Sequence, residues 1–94
     1  MKNSEKNKFK NKIVLITGGT GSFGKSFLKR ILNFDCEIRV FSRDELKQND
    51  LRNEVDNKNV KFYLGDVRDK DSLIRALKGV DYVFHAAALK QVPS

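Results

Sequence analysis

Three glycines spaced three apart join a β-branched run to an amphipathic segment, and this junction limits the chain to few folds. Ile13-Val14-Leu15-Ile16-Thr17 is short, continuous and apolar, the pattern of a strand buried on both faces of a parallel sheet. From Ser22 to Asn33, Phe23, Phe27, Leu28, Ile31 and Leu32 share one stripe while Lys25, Lys29 and Arg30 lie off it, which predicts an amphipathic helix. Between them runs Thr17-Gly18-Gly19-Thr20-Gly21-Ser22-Phe23-Gly24, with Gly18, Gly21 and Gly24 in a G-x-x-G-x-x-G spacing. The spacing alone is weak evidence; its place between a buried strand and a helix gives it meaning. Gly18 permits a tight turn, Gly21 close backbone approach to a pyrophosphate, and Gly24 tight helix–strand packing. The unpaired N–H groups at the helix start, with its dipole, then face an anion.

The alternation continues. Glu37-Ile38-Arg39-Val40-Phe41 predicts a second strand, and Ser42 precedes Glu45 at a capping-box spacing that would start a helix over roughly 44–55. That helix is polar, with Leu46, Leu51 and Val55 as its apolar anchors. Val60 to Leu64 is a third strand. Asp69 or Asp71 can cap a helix containing Leu73, Ile74, Ala76 and Leu77, which Gly79 ends. Val80 to His85 is a fourth strand. The order β-α-β-α-β-α-β implies parallel strands with right-handed helical crossovers. The expected class is α/β: a Rossmann-type parallel sheet with flanking helices, N-terminal part only, with about four strands and three helices.

At 94 residues the chain holds one domain at most. It is too short for a complete Rossmann enzyme, so it is expected to be an N-terminal piece of a longer protein. A formal charge of +7 raises the question of nucleic acid. However, Lys2, Lys6, Lys8, Lys10 and Lys12 against Glu5 place more than half of that charge in the first twelve residues. Residues 1–11 read as a basic flexible leader and residues 12–94 as the truncated nucleotide-binding domain, with no nucleic-acid partner. A nucleic-acid or membrane-surface arm is the alternative for the leader. Cys36 is the only cysteine, so no internal disulfide forms. No apolar run approaches the about 18 residues of a membrane helix, and no signal-peptide core is present. The expected location is cytoplasmic, without a membrane partner, and no metal site is expected.

The segment Gly19-Thr20-Gly21-Ser22-Phe23-Gly24-Lys25-Ser26 also matches the pattern of a triphosphate-binding P-loop. What favours the dinucleotide is the end of the second strand, where a ribose reader belongs. An acid there would suit the 2′-hydroxyl of NAD. This chain has Ser42-Arg43-Asp44-Glu45-Leu46-Lys47. Arg43 can fork onto a 2′-phosphate and stack on adenine; Ser42 adds a donor and Lys47 a second cation one helical turn on. The expected cofactor is NADP. In the alternatives, the basic pair is simply solvated, or Asp44 faces the ribose instead of capping the helix.

Gly65-Asp66-Val67-Arg68-Asp69 closes the third strand. Asp66 can accept from the adenine amine, with the Val67 backbone against the ring, or it can cap the next helix. After the fourth strand, Ala86, Ala87 and Ala88 let a cofactor ribose lie against the backbone. His85 reads as a packed strand-end residue in preference to a catalyst.

These blocks, together with His85-Ala86-Ala87-Ala88-Leu89-Lys90-Gln91-Val92-Pro93, resemble the extended short-chain dehydrogenase/reductases. More narrowly, they resemble the UDP-N-acetylglucosamine 4,6-dehydratases of bacterial polysaccharide biosynthesis, from about Phe9 onward. The likeness is to the shorter branch that lacks N-terminal membrane helices. It implies NADP contacts from Thr20, Gly21, Ser22 and Phe23, from Ser42 to Lys47, and from Asp66, Val67 and Ala86. It also implies that Lys90 lies where nicotinamide and sugar meet, able to hold a diphosphate or sugar hydroxyl of a UDP-sugar. The implied lyase reaction starts with hydride loss from the sugar C4. The resulting ketone acidifies the C5 proton, water leaves from C6, and the hydride returns at C6, in some relatives with inversion at C5. The family's catalytic residues fall beyond Ser94, so none is expected within this chain, and a homo-oligomer is implied for the whole protein. A UDP-sugar 4-epimerase with the same front end and a non-catalytic dinucleotide sensor remain alternatives.

Overall fold

The computed structural model describes residues 7–18 and 20–86. Four strands, β1 (Ile13–Thr17), β2 (Glu37–Ser42), β3 (Val60–Leu64) and β4 (Tyr82–His85), alternate with three helices, α1 (Ser22–Ile31), α2 (Glu45–Val55) and α3 (Lys70–Leu77). The strands form one sheet in the order β3-β2-β1-β4, with every neighbouring pair parallel. The expected Rossmann-type α/β architecture is therefore present. The chain adds strands outward from β1 to β3 and then crosses back to place β4 on the other side of β1. This reversal makes the carboxyl ends of β1 and β4 a topological switch point, where open α/β sheets open a ligand crevice.

Alternation along the strands divides the core between two layers. Val14, Ile16, Ile38 and Val40 face Leu28, Ile31 and Leu51 of α1 and α2. Leu15 and Phe41 point the other way, toward Ala76 and Leu73 of α3. β1 is buried along most of its length, which is why its sequence shows no polar alternation. Burying each large apolar side chain contributes roughly 1.5–3 kcal/mol.

The element boundaries differ from the sequence expectation where polar chemistry intervenes. Asp44 caps α2, the role preferred for it above, its Oδ1 accepting from Lys47 N at 3.0 Å, and the Ser42 of the capping-box spacing does not. Ser42 remains in β2. Leu46 is no anchor: it is 78% exposed, and the buried residues of α2 are Gln48 and Leu51. Asp69, rather than Asp71, caps α3. β4 begins at Tyr82, not Val80, because Lys78 and Gly79 form the centre of a tight turn closed by Val80 N donating to Leu77 O at 2.9 Å. Gly79 has φ +79° there, the position of a type II turn that favours glycine. α1 ends at Ile31, short of Asn33.

Within residues 1–11, the described part packs on the domain. Residues 7–9 form a helical turn, and Phe9 packs edge-on against Phe27 and Tyr82 and stacks on Phe34. The folded part thus begins before Lys12, the boundary expected from composition.

Candidate functional site

The polypeptide after β1 turns through Gly18, whose φ of +69° is the left-handed conformation glycine tolerates. Two hydrogen bonds fix this turn: Gly18 N donates to Phe41 O at 2.9 Å and Gly21 N to Gly18 O at 3.1 Å. The first of these ties the loop directly to the end of β2. Gly21 then serves as N-cap of α1 without any side-chain cap, and the first turn of α1 holds no acidic residue. By contrast, Asp44 and Asp69 cap α2 and α3, which carry Glu45 and Asp71 in their first turns. The start of α1 is left with N–H groups and a positive dipole end that no carboxylate of its own first turn offsets, the chemistry that suits a phosphate.

A crevice of about 500 Å³ opens beside this turn, bordered by Gly18, Thr20 and Gly21 on one side and by Ser42, Arg43 and Lys47 on the other. Asp66, Val67 and Arg68 also line it, as does His85 at the end of β4, which is exposed and not packed as its sequence position suggested. The structure therefore brings together the glycine turn, the β2 tip and the β3 tip around one space. Ser22 and Gly24 lie in the first turn of α1, with Gly24 buried against the sheet. The side chain of Phe23 is 47% exposed and borders a separate cavity with Phe9, Phe27 and Phe84. Only the backbone of Phe23 remains suited to the phosphate turn. Ala86 is buried in the core under α1. Ala87, Lys90 and the rest of the 87–94 block lie outside the described residues.

The charged groups of the crevice are organised around Asp66. Arg68 donates from Nη2 to Asp66 Oδ2 at 2.8 Å, from Nε to both carboxylate oxygens at 3.2 Å, and from its backbone N to Oδ1 at 2.9 Å. Arg43 Nη1 reaches Asp66 Oδ2 at a longer 3.4 Å. The Arg68 side-chain and backbone bonds hold the Asp66 carboxyl well below the usual carboxylate range; slight burial opposes this and the nearby charges of Arg68 and Arg43 reinforce it. Asp66 does not cap α3, which Asp69 does. Asp44 lines the crevice, but one of its oxygens is committed to the start of α2.

Several contributors were not evident in the sequence. Gln48, buried one turn into α2, donates from Nε2 to Ser42 Oγ at 2.9 Å and to Tyr63 O at 2.8 Å, so it fixes the tips of β2 and β3 together. Thr17 Oγ1 and His85 Nδ1 are hydrogen-bonded across the switch point. Gly65 leaves no room for a side chain, since a Cβ would lie 2.7 Å from Ser72 Oγ. A capping-type reading of Gln48 or Gly65 has no local signature, because each is defined by residues distant in the chain.

The triphosphate alternative fares poorly in this geometry. Lys25 pairs with Glu54 on α2 at 3.3 Å, and Ser26 borders the separate aromatic cavity, so both residues that would serve a P-loop point away from the crevice. Among the described residues no cluster of side chains could hold a metal ion, and no helix is long and apolar enough to cross a membrane.

A parallel sheet with this strand order, a glycine turn at the switch point and a charged crevice across β1, β2 and β3 defines a Rossmann-type unit of the extended short-chain dehydrogenase/reductase kind. The chain belongs to the polysaccharide biosynthesis protein family, whose sequence profile matches residues 14–94. It is similar to a protein of Rickettsia bellii named UDP-glucose 4-epimerase, at 59% identity over 92% of this chain and 27% of the relative. Among solved structures it is similar to Pen from Bacillus thuringiensis, with a TM-score of 0.81 and 46% identity over 89% of this chain and 27% of the other. An epimerase from Methanothermobacter thermautotrophicus superposes with a TM-score of 0.69 at 26% identity, over 87% of this chain and 24% of the other. The chain spans about a quarter of the length of these relatives.

Proposed function

We propose that this chain is the NADP-holding portion of a cytoplasmic nucleotide-sugar enzyme that oxidises a UDP-sugar at C4 and carries the product on to 4,6-dehydration. The observation that carries the reading is the single crevice shared by the glycine turn and the Arg43–Lys47 tip. Its two ends suit the two charged parts of a dinucleotide. The uncapped start of α1 suits the diphosphate. Arg43 and Lys47 suit a phosphorylated ribose, and the carboxylate that would prefer a free 2′-hydroxyl, Asp44, is engaged by α2. Asp66 and Val67 border the part of the crevice that would take the adenine.

Bound NADP⁺ supplies a hydride acceptor at its nicotinamide end. This chain contributes binding and orientation: backbone amides for the diphosphate, a guanidinium for the ribose, and the Thr17–His85 contact holding the β1 and β4 tips in register. The sequence blocks at 41–48 and 85–93 favour UDP-N-acetylglucosamine as substrate and a 4-keto-6-deoxy sugar as product. A second reading, 4-epimerisation, is favoured by the names of the Rickettsia relatives.

Incubating the full-length protein with UDP-N-acetylglucosamine should yield a 4-keto-6-deoxy product detectable by mass loss of one water. Interconversion of UDP-glucose and UDP-galactose with no loss of water would establish the epimerase instead. In calorimetric titrations Arg43→Glu should lose NADP affinity by roughly tenfold or more, the size of a lost charge-assisted fork, without gaining tight NAD binding. An unchanged NADP affinity would remove the phosphate assignment.

A further inference from the structure

We propose that Arg68 is a positioning residue for cofactor choice: by occupying Asp66 it keeps that carboxylate from capturing Arg43 and from repelling a phosphorylated ribose. The inference rests on the NADP reading above and names a determinant outside the Ser42–Lys47 tip.

Among the described residues five charged side chains border the crevice: Arg43, Lys47 and Arg68, against Asp44 and Asp66. Asp44 is engaged by the N-terminus of α2. Asp66 is therefore the anion most able to pair with Arg43 and withdraw it from a ligand. It stands within reach, yet the Arg43 contact is only 3.4 Å, at the limit of hydrogen bonding. Arg68 holds the same oxygens with a 2.8 Å ion pair, two 3.2 Å contacts from Nε and a backbone N–H. A carboxylate offers about four acceptor positions, and Arg68 alone occupies most of them. The Arg43 side chain stays 70% exposed, with most of its donors available. Arg68 is anchored two residues from Asp66 in the same turn, so this pairing is local and pre-formed, whereas Arg43 must reach across from β2.

Removing Arg68 should leave Asp66 both a stronger magnet for Arg43 and an uncompensated negative charge beside the ribose. The consequence is specific to ligands that carry a 2′-phosphate. Calorimetry on the full-length protein with 2′,5′-ADP and 5′-AMP as probes reads this as the ratio of the two affinities, with the thermal denaturation midpoint of each variant serving as the control for folding. Arg68→Gln should lower the ratio roughly three- to tenfold, the scale of one partly solvated charge interaction, and Arg68→Lys should restore part of it. Because Arg68 acts through Asp66, Arg68→Gln in an Asp66→Asn background should leave the ratio unchanged. An unaltered ratio in the single Arg68→Gln variant overturns the proposal. So does a fall of equal size in the Asp66→Asn background, which would make Arg68 a direct phosphate ligand. Arg43→Glu separates the two levels: if it leaves the ratio intact, the NADP reading falls and this inference with it. If it abolishes the preference while Arg68→Gln does nothing, only the role of Arg68 is lost.

Discussion

At Gly65 a single methyl group would meet three atoms at once: Ser72 Oγ at 2.7 Å, Ser72 Cβ at 2.9 Å and Phe41 Cε2 at 3.0 Å. Phe41 and Ser72 are themselves buried, so neither can swing aside without disturbing the layer beneath α3. Gly65→Ala should destabilise the protein by about 1–3 kcal/mol, the usual cost of overpacking, seen as a lower denaturation midpoint. It should also weaken nucleotide binding, because the strain falls between Ser42, whose carbonyl accepts from Gly65 N at 2.9 Å, and Asp66. This residue shows where the sequence was silent. Gly18 and Arg43 could be recognised because their meaning is local: one follows a strand, the other ends the next. Gly65 and Gln48 acquire theirs from atoms six to twenty-four positions away and Arg68 from a geometry of competing partners, and no spacing encodes that.

Among the elements, α3 depends on a residue of β2. Arg39 donates from Nη1 to Ala76 O at 2.9 Å and Lys78 O at 2.7 Å, and from Nε to Glu37 Oε2 at 2.7 Å. An α-helix leaves its last carbonyls without internal partners, and a strand guanidinium supplies them here. Arg39→Leu should cost about 1–3 kcal/mol, since charge-assisted bonds to partly buried carbonyls are lost and not replaced. Amide hydrogen exchange should show the loss concentrated in residues 70–80. All seven elements were legible because β-branched runs and amphipathic stripes alternate without interruption. α2 was least well read: its apolar pattern is weak, so Leu46 looked like an anchor beside Leu51, whereas the residue buried with Leu51 is the polar Gln48. The Ser42–Glu45 spacing suggested a capping box, but strand pairing with β3 keeps Ser42 extended and leaves Asp44 to start the helix.

Across the whole molecule, stability should be concentrated in the central strands. Ile16 is fully buried between β2, β4 and the α1 layer, whereas Ile74 of α3 is 53% exposed. Ile16→Ala should cost about 2–5 kcal/mol and Ile74→Ala no more than roughly 0.5 kcal/mol, a contrast that paired urea titrations would measure; comparable losses would mean the two layers are not packed as described. The same sheet sets which parts of the chain can change length. The groups of the crevice sit on or next to short connections at the carboxyl edge, 18–21, 43–44 and 65–69, while the opposite edge is served by 32–36, 56–59 and 78–81. An added or missing residue at the first edge would rotate a phosphate-facing amide or a guanidinium out of place; at the second it would be absorbed far from any ligand. Insertions and deletions that arise as such proteins diverge should therefore accumulate at the amino edge of the sheet and be purged from the other.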